Sequence, residues 1–364
     1  MCNRESQTSS GDGMRLKHID QMRAIAILCM VEVHTAAIIP PSGITVGHPA
    51  AFVAAAFGGM AAPLFVTVSG WGLHRGAQRR FSNGLRSEAW LNWLLPRIAL
   101  LVACQFLVNI LLNAERGGRF EWQTPGILTL LALAALAAPL IVNLSLRARG
   151  VLMLAFIATP FALGDLAGTD WGWWTRVGSS GVEEWFERLL INGTYPALPW
   201  LSFMFLGSIL SDIEENRRNS VLWMSGGFAV IGISMIQSAR LGIPFALTEG
   251  DAILTFFPAN AAFLITAATF VLLTEALLSR FSVDGGDKLA FIEPVGQITL
   301  TIYVAHFAVL GAAAMGLEGE PRLALIPAFA ITIAHTLVWI PLAQLHQRHC
   351  PNISFEALLR RITS

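Results

Sequence analysis

The stretch His18–Pro40, HIDQMRAIAILCMVEVHTAAIIP, sets Asp20, Arg23, Glu32 and His34 into an otherwise apolar run. Histidine exchanges a proton near neutral pH, and arginine is a permanent cation whose forked donors pair anionic oxygens. Placing such groups in hydrocarbon costs roughly 2.5 to 3.5 kcal/mol each at the centre of a span. Four of them in one helix ask for a role. Arg23 and His34 stand 11 positions apart. At 100° per residue that is about 1100°, roughly 20° beyond three full turns, with about 16 Å between Cα atoms along the axis. Both project from one face, so a polar face runs through the membrane. Glu32 lies about 200° from His34 and cannot share that face. A plainer account lets Arg23 reach headgroups and His34 bond a neighbouring helix. It explains each residue singly and leaves their common face to chance.

The elements that position these residues follow from composition. The 364 residues are 54% hydrophobic and 13% charged, with a mean hydropathy of +0.60, too apolar to close over themselves in water. Apolar runs of about 16 to 28 residues suit a hydrocarbon layer of roughly 30 Å. Because the runs are continuous and lipid offers the backbone no partner, helices are required in place of barrel strands. The expected fold is all-α: a polytopic integral membrane helical bundle of about ten transmembrane helices. The spans fall at 18–40, 51–74, 91–113, 125–145, 150–165, 195–211, 220–238, 252–279, 292–316 and 323–345, the fifth being the weakest.

An even count puts both termini on one side. With the termini cytoplasmic, the inner segments hold 16 basic residues, among them Arg15, Lys17, Arg75, Arg79, Arg80, Arg86, Arg147, Arg149, Arg217, Arg218, Arg360 and Arg361. The other side holds six: Arg116, Arg119, Arg176, Arg188, Arg240 and Arg322. This asymmetry is the positive-inside pattern. Residues 1–14 read as a disordered cytoplasmic tail, 15–347 as one membrane domain and 348–364 as a cytoplasmic C-terminal tail. Twenty-four basic against 24 acidic residues leave no field for nucleic acid. Cys2, Cys29, Cys104 and Cys350 lack metal-type spacing, so no metal is expected. Arg outnumbers Lys 22 to 2 and no organelle address is visible, which favours a bacterial cytoplasmic (inner) membrane. On the outer side, Trp171, Trp173 and Trp174 precede Val182, Trp185, Phe186, Leu189 and Leu190, a helical apolar stripe backed by Glu183, Glu184, Glu187 and Arg188. This reads as an interfacial helix, either a depth anchor or a lid over an external site.

From Ile19 to His34 the residues resemble the opening of the transmembrane acyltransferases, the superfamily of acyltransferase type 3 and heparan-α-glucosaminide N-acetyltransferase-like proteins. Further segments agree in order: Ala62–Trp71 (APLFVTVSGW), Tyr195–Trp200 (YPALPW), Gly296–Phe307 (GQITLTIYVAHF) and Phe355–Arg360 (FEALLR). The sequence departs from the family pattern at Ala24, Thr299 and Asn352–Ser354. The resemblance covers about residues 15 to 361.

The resemblance implies transfer of an acyl group, acetyl by analogy, from cytoplasmic acyl-CoA to a hydroxyl or amine, often of a sugar, on the other face. Acetyl-CoA or another acyl-CoA is then the co-substrate, a sugar or other small molecule the acceptor, and the lipid bilayer the surroundings. His34 is the candidate catalytic base, with an acyl-histidine intermediate as the other possibility. Arg23, Arg75 and Arg97, with Arg79 and Arg80, would hold the CoA phosphates. Ser69–Gly70 allows close backbone approach, either to a helix or to the pantetheine arm. Tyr303 and His306, on one face of the ninth span, would line the acyl tunnel or acceptor pocket, or else bond across helices. Tyr195 and Trp200 would shape the acceptor entrance, or mark the interface. His74 could touch phosphate or lie among headgroups, and His335 reads as a packing residue. The competing class is a membrane transporter or flippase that uses the same intramembrane Arg and His residues for a proton or substrate path.

Overall fold

A computed structural model describes residues 16–44, 48–82, 87–167, 171–212, 217–283, 288–316 and 323–363. The N-terminal tail and Arg15 lie outside these residues, as do the side chains of Arg86, Arg217, Arg218 and Arg322.

The apolar runs form helices. α1 is Lys17–Ile38, α2 Pro49–Ser82, α3 Ser87–Leu111, α4 Ile127–Ile141, α5 Leu146–Ala167, α6 Trp173–Val177, α7 Val182–Glu187 and α8 Ala197–Leu210. They are followed by α9 Arg217–Leu241, α10 Ala261–Val283, α11 Glu293–Gln297, α12 Thr299–Gly316, α13 Leu325–His349 and α14 Phe355–Thr363. Among the described residues, eight helices are long and apolar enough to cross a membrane, nine if α7 and α8, bent by 51°, make one span. The expected figure of about ten is met only by adding α4, whose 15 residues reach about 22 Å, short of a hydrocarbon layer. The span expected to be weakest, α5, passes on its own.

Two other expectations are corrected. The eighth span begins at Ala261 rather than 252. The residues before it form strand β2, Leu254–Phe257, paired in parallel with β1, Ala246–Glu249. β-Branched and aromatic side chains in Leu-Thr-Phe-Phe, with Pro258 behind them, suit a strand and stop a helix from starting there. The ninth span is broken: α11 ends at Gln297, the backbone of Ile298 (φ −129°, ψ 37°) is not helical, and α12 starts afresh at Thr299.

The chemistry-bearing helix is central. Half of the most apolar window of α1 and of α2 is buried, against 11% for α5 and α9, which turn Phe161, Leu222 and Ile236 outward. α1 is packed by α2, α10, α11, α12 and α13. α2 and α8 cross at backbone distance: a Cβ at Gly70 would overlap the Met204 carbonyl, and one at Gly207 the Thr67 carbonyl. The close approach expected at Ser69–Gly70 is thus made to α8, by the small-residue packing common among membrane helices.

Candidate functional site

At the far end of α1 from Lys17, the His34 Nδ1 lies 2.9 Å from the His306 Nε2 of α12. The two imidazoles lie nearly coplanar and edge to edge, with centroids 5.2 Å apart and planes 1° from parallel. His306 is fully buried, and its Nδ1 lies 3.0 Å from the Ile302 carbonyl. With both rings neutral, these partners assign the tautomers. A carbonyl only accepts, so His306 Nδ1 carries a proton and its Nε2 is an acceptor. His34 must then donate from Nδ1, which leaves its Nε2 as a lone pair. No described residue bonds that nitrogen. The pair is therefore oriented as an aspartate orients a catalytic histidine, with a neutral imidazole in the supporting role.

Aromatic rings wall this pair. Phe307 stands 4.6 Å from His34 and 5.9 Å from Phe120, and Phe120 is 5.8 Å from Trp173. Trp173 meets Phe257 of β2 at 5.4 Å, and Phe257 meets Tyr195 at 6.3 Å. Tyr195 packs edge-on to Trp200 at 5.2 Å. Tyr303 lies 5.6 Å from His306 and 6.1 Å from Phe65 of α2. Four candidates, His34, His306, Tyr303 and Tyr195, thus belong to one ring-lined region with Trp200 at its edge. Trp173 is pinned over it by a hydrogen bond from its Nε1 to the Arg119 carbonyl at 2.9 Å. Arg119 is also the cation that acts electrostatically on His34. The tryptophan-rich segment is thus connected to His34 through Phe120 and Phe307.

The helix that follows differs from the expected stripe. α7 passes into a π-helical turn, Arg188–Asn192. Arg188, expected on the polar face, is buried. It donates to Glu184, to the Asn192 Oδ1 at 2.9 Å and to the Gly178 carbonyl at 3.0 Å, and lies over the Trp171 ring. Burial pushes the neighbouring Arg176 guanidinium down to about 10, against the pull of Glu249 and with the repulsion of Arg188.

At the Lys17 end of α1, expected to be the inner one, a second group assembles. Arg23 pairs with Asp20 at 3.2 Å and rests against α2, where a Cβ on Gly72 would meet its Nη2 at 3.1 Å. The Trp93 ring carries the Arg80 guanidinium at 4.2 Å and that of Arg97 at 5.5 Å. Arg80 and Arg23 both act electrostatically on Arg97, whose buried Nε has no hydrogen-bond partner among the described residues. Like charges gathered with an unpaired donor among them suit an anion of several oxygens, such as a phosphate.

One face of α2 joins the two ends. Phe65, Ser69, Gly72, Gly76 and Arg80 recur at spacings of four, three, four and four, and fall within about 80° of one another over about 22 Å. Phe65 touches Tyr303 and Gly72 touches Arg23. Ser69 sits between them. Arg75 lies off this face, over Trp71 at 5.0 Å.

His74 is not a phosphate contact but part of a buried clamp. Arg149 donates to its Nε2 at 3.0 Å, so its Nδ1 donates to the Ser211 Oγ at 2.9 Å, and that hydroxyl donates to the Ser208 carbonyl at 2.7 Å. Arg149, counted above as a loop cation, is buried and also pairs with Asp212. His335 has a partner that sequence did not offer, the Thr35 Oγ1 at 2.8 Å, while Thr35 donates to the Val31 carbonyl at 2.6 Å. Sequence reasoning also missed Phe120, Phe307, Trp93 and the bonding between His34 and His306, none of which has a local spacing signal.

Among curated proteins none matches the chain. A family model, that of an acyltransferase domain of type 3, matches residues 16–343, a stretch that contains both the histidine pair and the inner arginines. The protein belongs to this acyltransferase family of multi-helix membrane proteins.

Proposed function

We propose that the protein moves an acyl group, acetyl in the simplest case, from acyl-CoA to a hydroxyl or amine of a sugar-like acceptor, with His34 as general base. The observation that carries this reading is the His306–His34 hydrogen bond, which leaves one imidazole nitrogen available as a base. The side richer in Lys and Arg is taken as cytoplasmic, in a bacterial inner membrane, so that Arg23, Arg80 and Arg97 meet the CoA phosphates. The pantetheine arm then follows the Phe65–Arg80 face of α2, past Ser69, and delivers the thioester to His34. The aromatic wall of Phe120, Trp173 and Tyr195 offers stacking surfaces to the acceptor, with the fully buried Trp200 backing Tyr195 and with Tyr303 between the two substrates.

In the reaction the acceptor O–H or N–H gives its proton to His34 Nε2 as its lone pair attacks the thioester carbonyl. The C–S bond breaks when the tetrahedral intermediate collapses. The imidazolium returns the proton to the departing thiolate, which leaves as CoA. While His34 is charged, its Nδ1–H bond to His306 is charge-assisted and stronger than in the resting state. The bond therefore stabilises the transition state more than the ground state, which is the requirement for catalysis.

Purified protein in detergent, given acetyl-CoA with and without sugar alcohols and amines, should release CoA thiol only when an acceptor is present, and mass spectrometry should find the acetylated acceptor. Transmembrane movement of a substrate in vesicles without thiol release would replace this reading by the transporter one. An acetyl adduct trapped on His34 would make it a nucleophile rather than a base.

A further inference from the structure

The C-terminal helix α14 ends the chain and is held by α12, the helix that carries Tyr303 and His306. Glu356 makes the link. Its Oε1 accepts the Leu300 N–H at 2.6 Å and the Thr301 N–H at 3.3 Å, and its Oε2 accepts the Thr301 hydroxyl at 2.7 Å. In return the Phe355 N–H donates to the Thr301 Oγ1 at 2.9 Å. α14 itself is started by Ser354, whose Oγ accepts the Ala357 N–H at 3.0 Å.

α12 needs such a partner. It starts after the break at Ile298, and an isoleucine in the capping position has no oxygen to offer the first free N–H groups. A carboxylate at a helix N-terminus also meets the positive end of the helix dipole. The result is a reciprocal cap supplied by a helix more than fifty residues later in the chain.

The turn so held is the one that orients the catalytic pair. The first backbone bond of α12 is Ile302 N–H to the Ile298 carbonyl at 2.9 Å. The carbonyl of the same Ile302, next to Thr301, accepts His306 Nδ1–H. A hydrogen-bonded line therefore runs from Glu356 through the first turn of α12 to His306 and on to His34. We infer that Glu356 is a positioning residue for acyl transfer: by capping α12 it keeps Ile302 and His306 in register, and so keeps the His34 Nε2 lone pair available. This rests on the acyl-transfer reading above.

The test compares wild type with Glu356→Ala, Glu356→Gln and Thr301→Val by two readouts. Hydrogen–deuterium exchange of a peptide covering residues 299–306 reports the cap without any substrate. The dependence of kcat on pH, with acetyl-CoA and a sugar acceptor, reports His34. In Glu356→Ala exchange should rise about tenfold and kcat fall about tenfold, the value of one hydrogen bond to a charged group. The acid limb of kcat should also be displaced along the pH axis by about half a unit, whereas a mere loss of folded protein scales the whole profile and leaves the limb in place. Glu356→Gln keeps an oxygen for both N–H groups and should restore both readouts to within about threefold of wild type. Thr301→Val should move both in the direction of Glu356→Ala by less. Unchanged exchange in Glu356→Ala, or an unmoved limb, would overturn the inference. Wild type that turns over no acyl-CoA with any acceptor would count against the acyl-transfer reading alone, and the exchange comparison would still decide whether the tail holds α12.

Discussion

Replacing His306 by Phe isolates the support that this ring gives to His34. Phe keeps an aromatic ring at this position but removes the nitrogen that accepts the Nδ1–H bond at 2.9 Å. That bond is neutral in the resting pair, where such a bond contributes about 0.5–1.5 kcal/mol, and charge-assisted once His34 holds the proton, where the range is about 1.5–3 kcal/mol. The difference acts on the transition state alone, so about 1–1.5 kcal/mol is lost from catalysis, a fall of roughly five- to tenfold in kcat. Release of the tautomer adds to the fall. The KM for acetyl-CoA should stay within about twofold, because the inner arginines are untouched. His306→Gln, whose side-chain oxygen can still accept, should lose less. The assay is initial rate of thiol release over a range of acetyl-CoA concentrations with the three purified proteins. Full kcat in His306→Phe, or equal loss in the Phe and Gln variants, would refute the reasoning.

Other outcomes follow from the same geometry. Arg97→Ala should raise the KM for acetyl-CoA by about tenfold or more with kcat nearly kept, and added salt should narrow the gap between variant and parent, since phosphate contacts act in the ground and transition states alike; the measurement is the KM at several ionic strengths. Gly207→Ala should lower the thermal midpoint in detergent, at a cost of about 1–3 kcal/mol, because the added methyl meets the Thr67 carbonyl and α2 and α8 must part. Burial opposes ionisation of Asp212, but hydrogen bonds from Arg149 and Gln78 with the Arg149 charge outweigh it and hold the carboxyl below its ordinary value of 3.8. The clamp's contribution to stability is therefore present above pH about 4 and disappears as the pH falls below it. Thermal melts of wild type and Asp212→Asn should differ at pH 7 and converge in acid.

The parts of this architecture that depend on one helix alone could be read directly from residue order. The common face of Arg23 and His34 needs only the helical period, and the apolar runs locate most of the membrane helices. What depends on the register between helices could not. His34 and His306 are 272 residues apart, and each names its own face but not its neighbour's. Tyr303 and His306 were legible as a pair on one side of a helix, without indication that they face α1. Arg188 was misplaced because its charge alone put it on the polar face, whereas the Gly178 carbonyl and the Trp171 ring that bury it lie before the helix and outside its period. The eighth span was drawn too long because Leu254–Phe257 is as apolar as the helix that follows, and its pairing partner lies across a turn that hydropathy does not register. The Glu356 cap illustrates the same limit, since Ile298 lacks a capping oxygen and the supplier lies beyond the next helix. Membership of the acyltransferase family agrees with the order of motifs from Arg23 to His306.

The central claim is that the His34 Nε2 takes the acceptor proton. Its most direct test is the turnover of His34→Ala, in protein shown by its melting curve to be folded and by a CoA-binding measurement to hold the cofactor as wild type does. A general base is worth about 10²- to 10⁴-fold, so acetyl transfer should fall by at least about 10². Transfer at the parent rate would contradict the account.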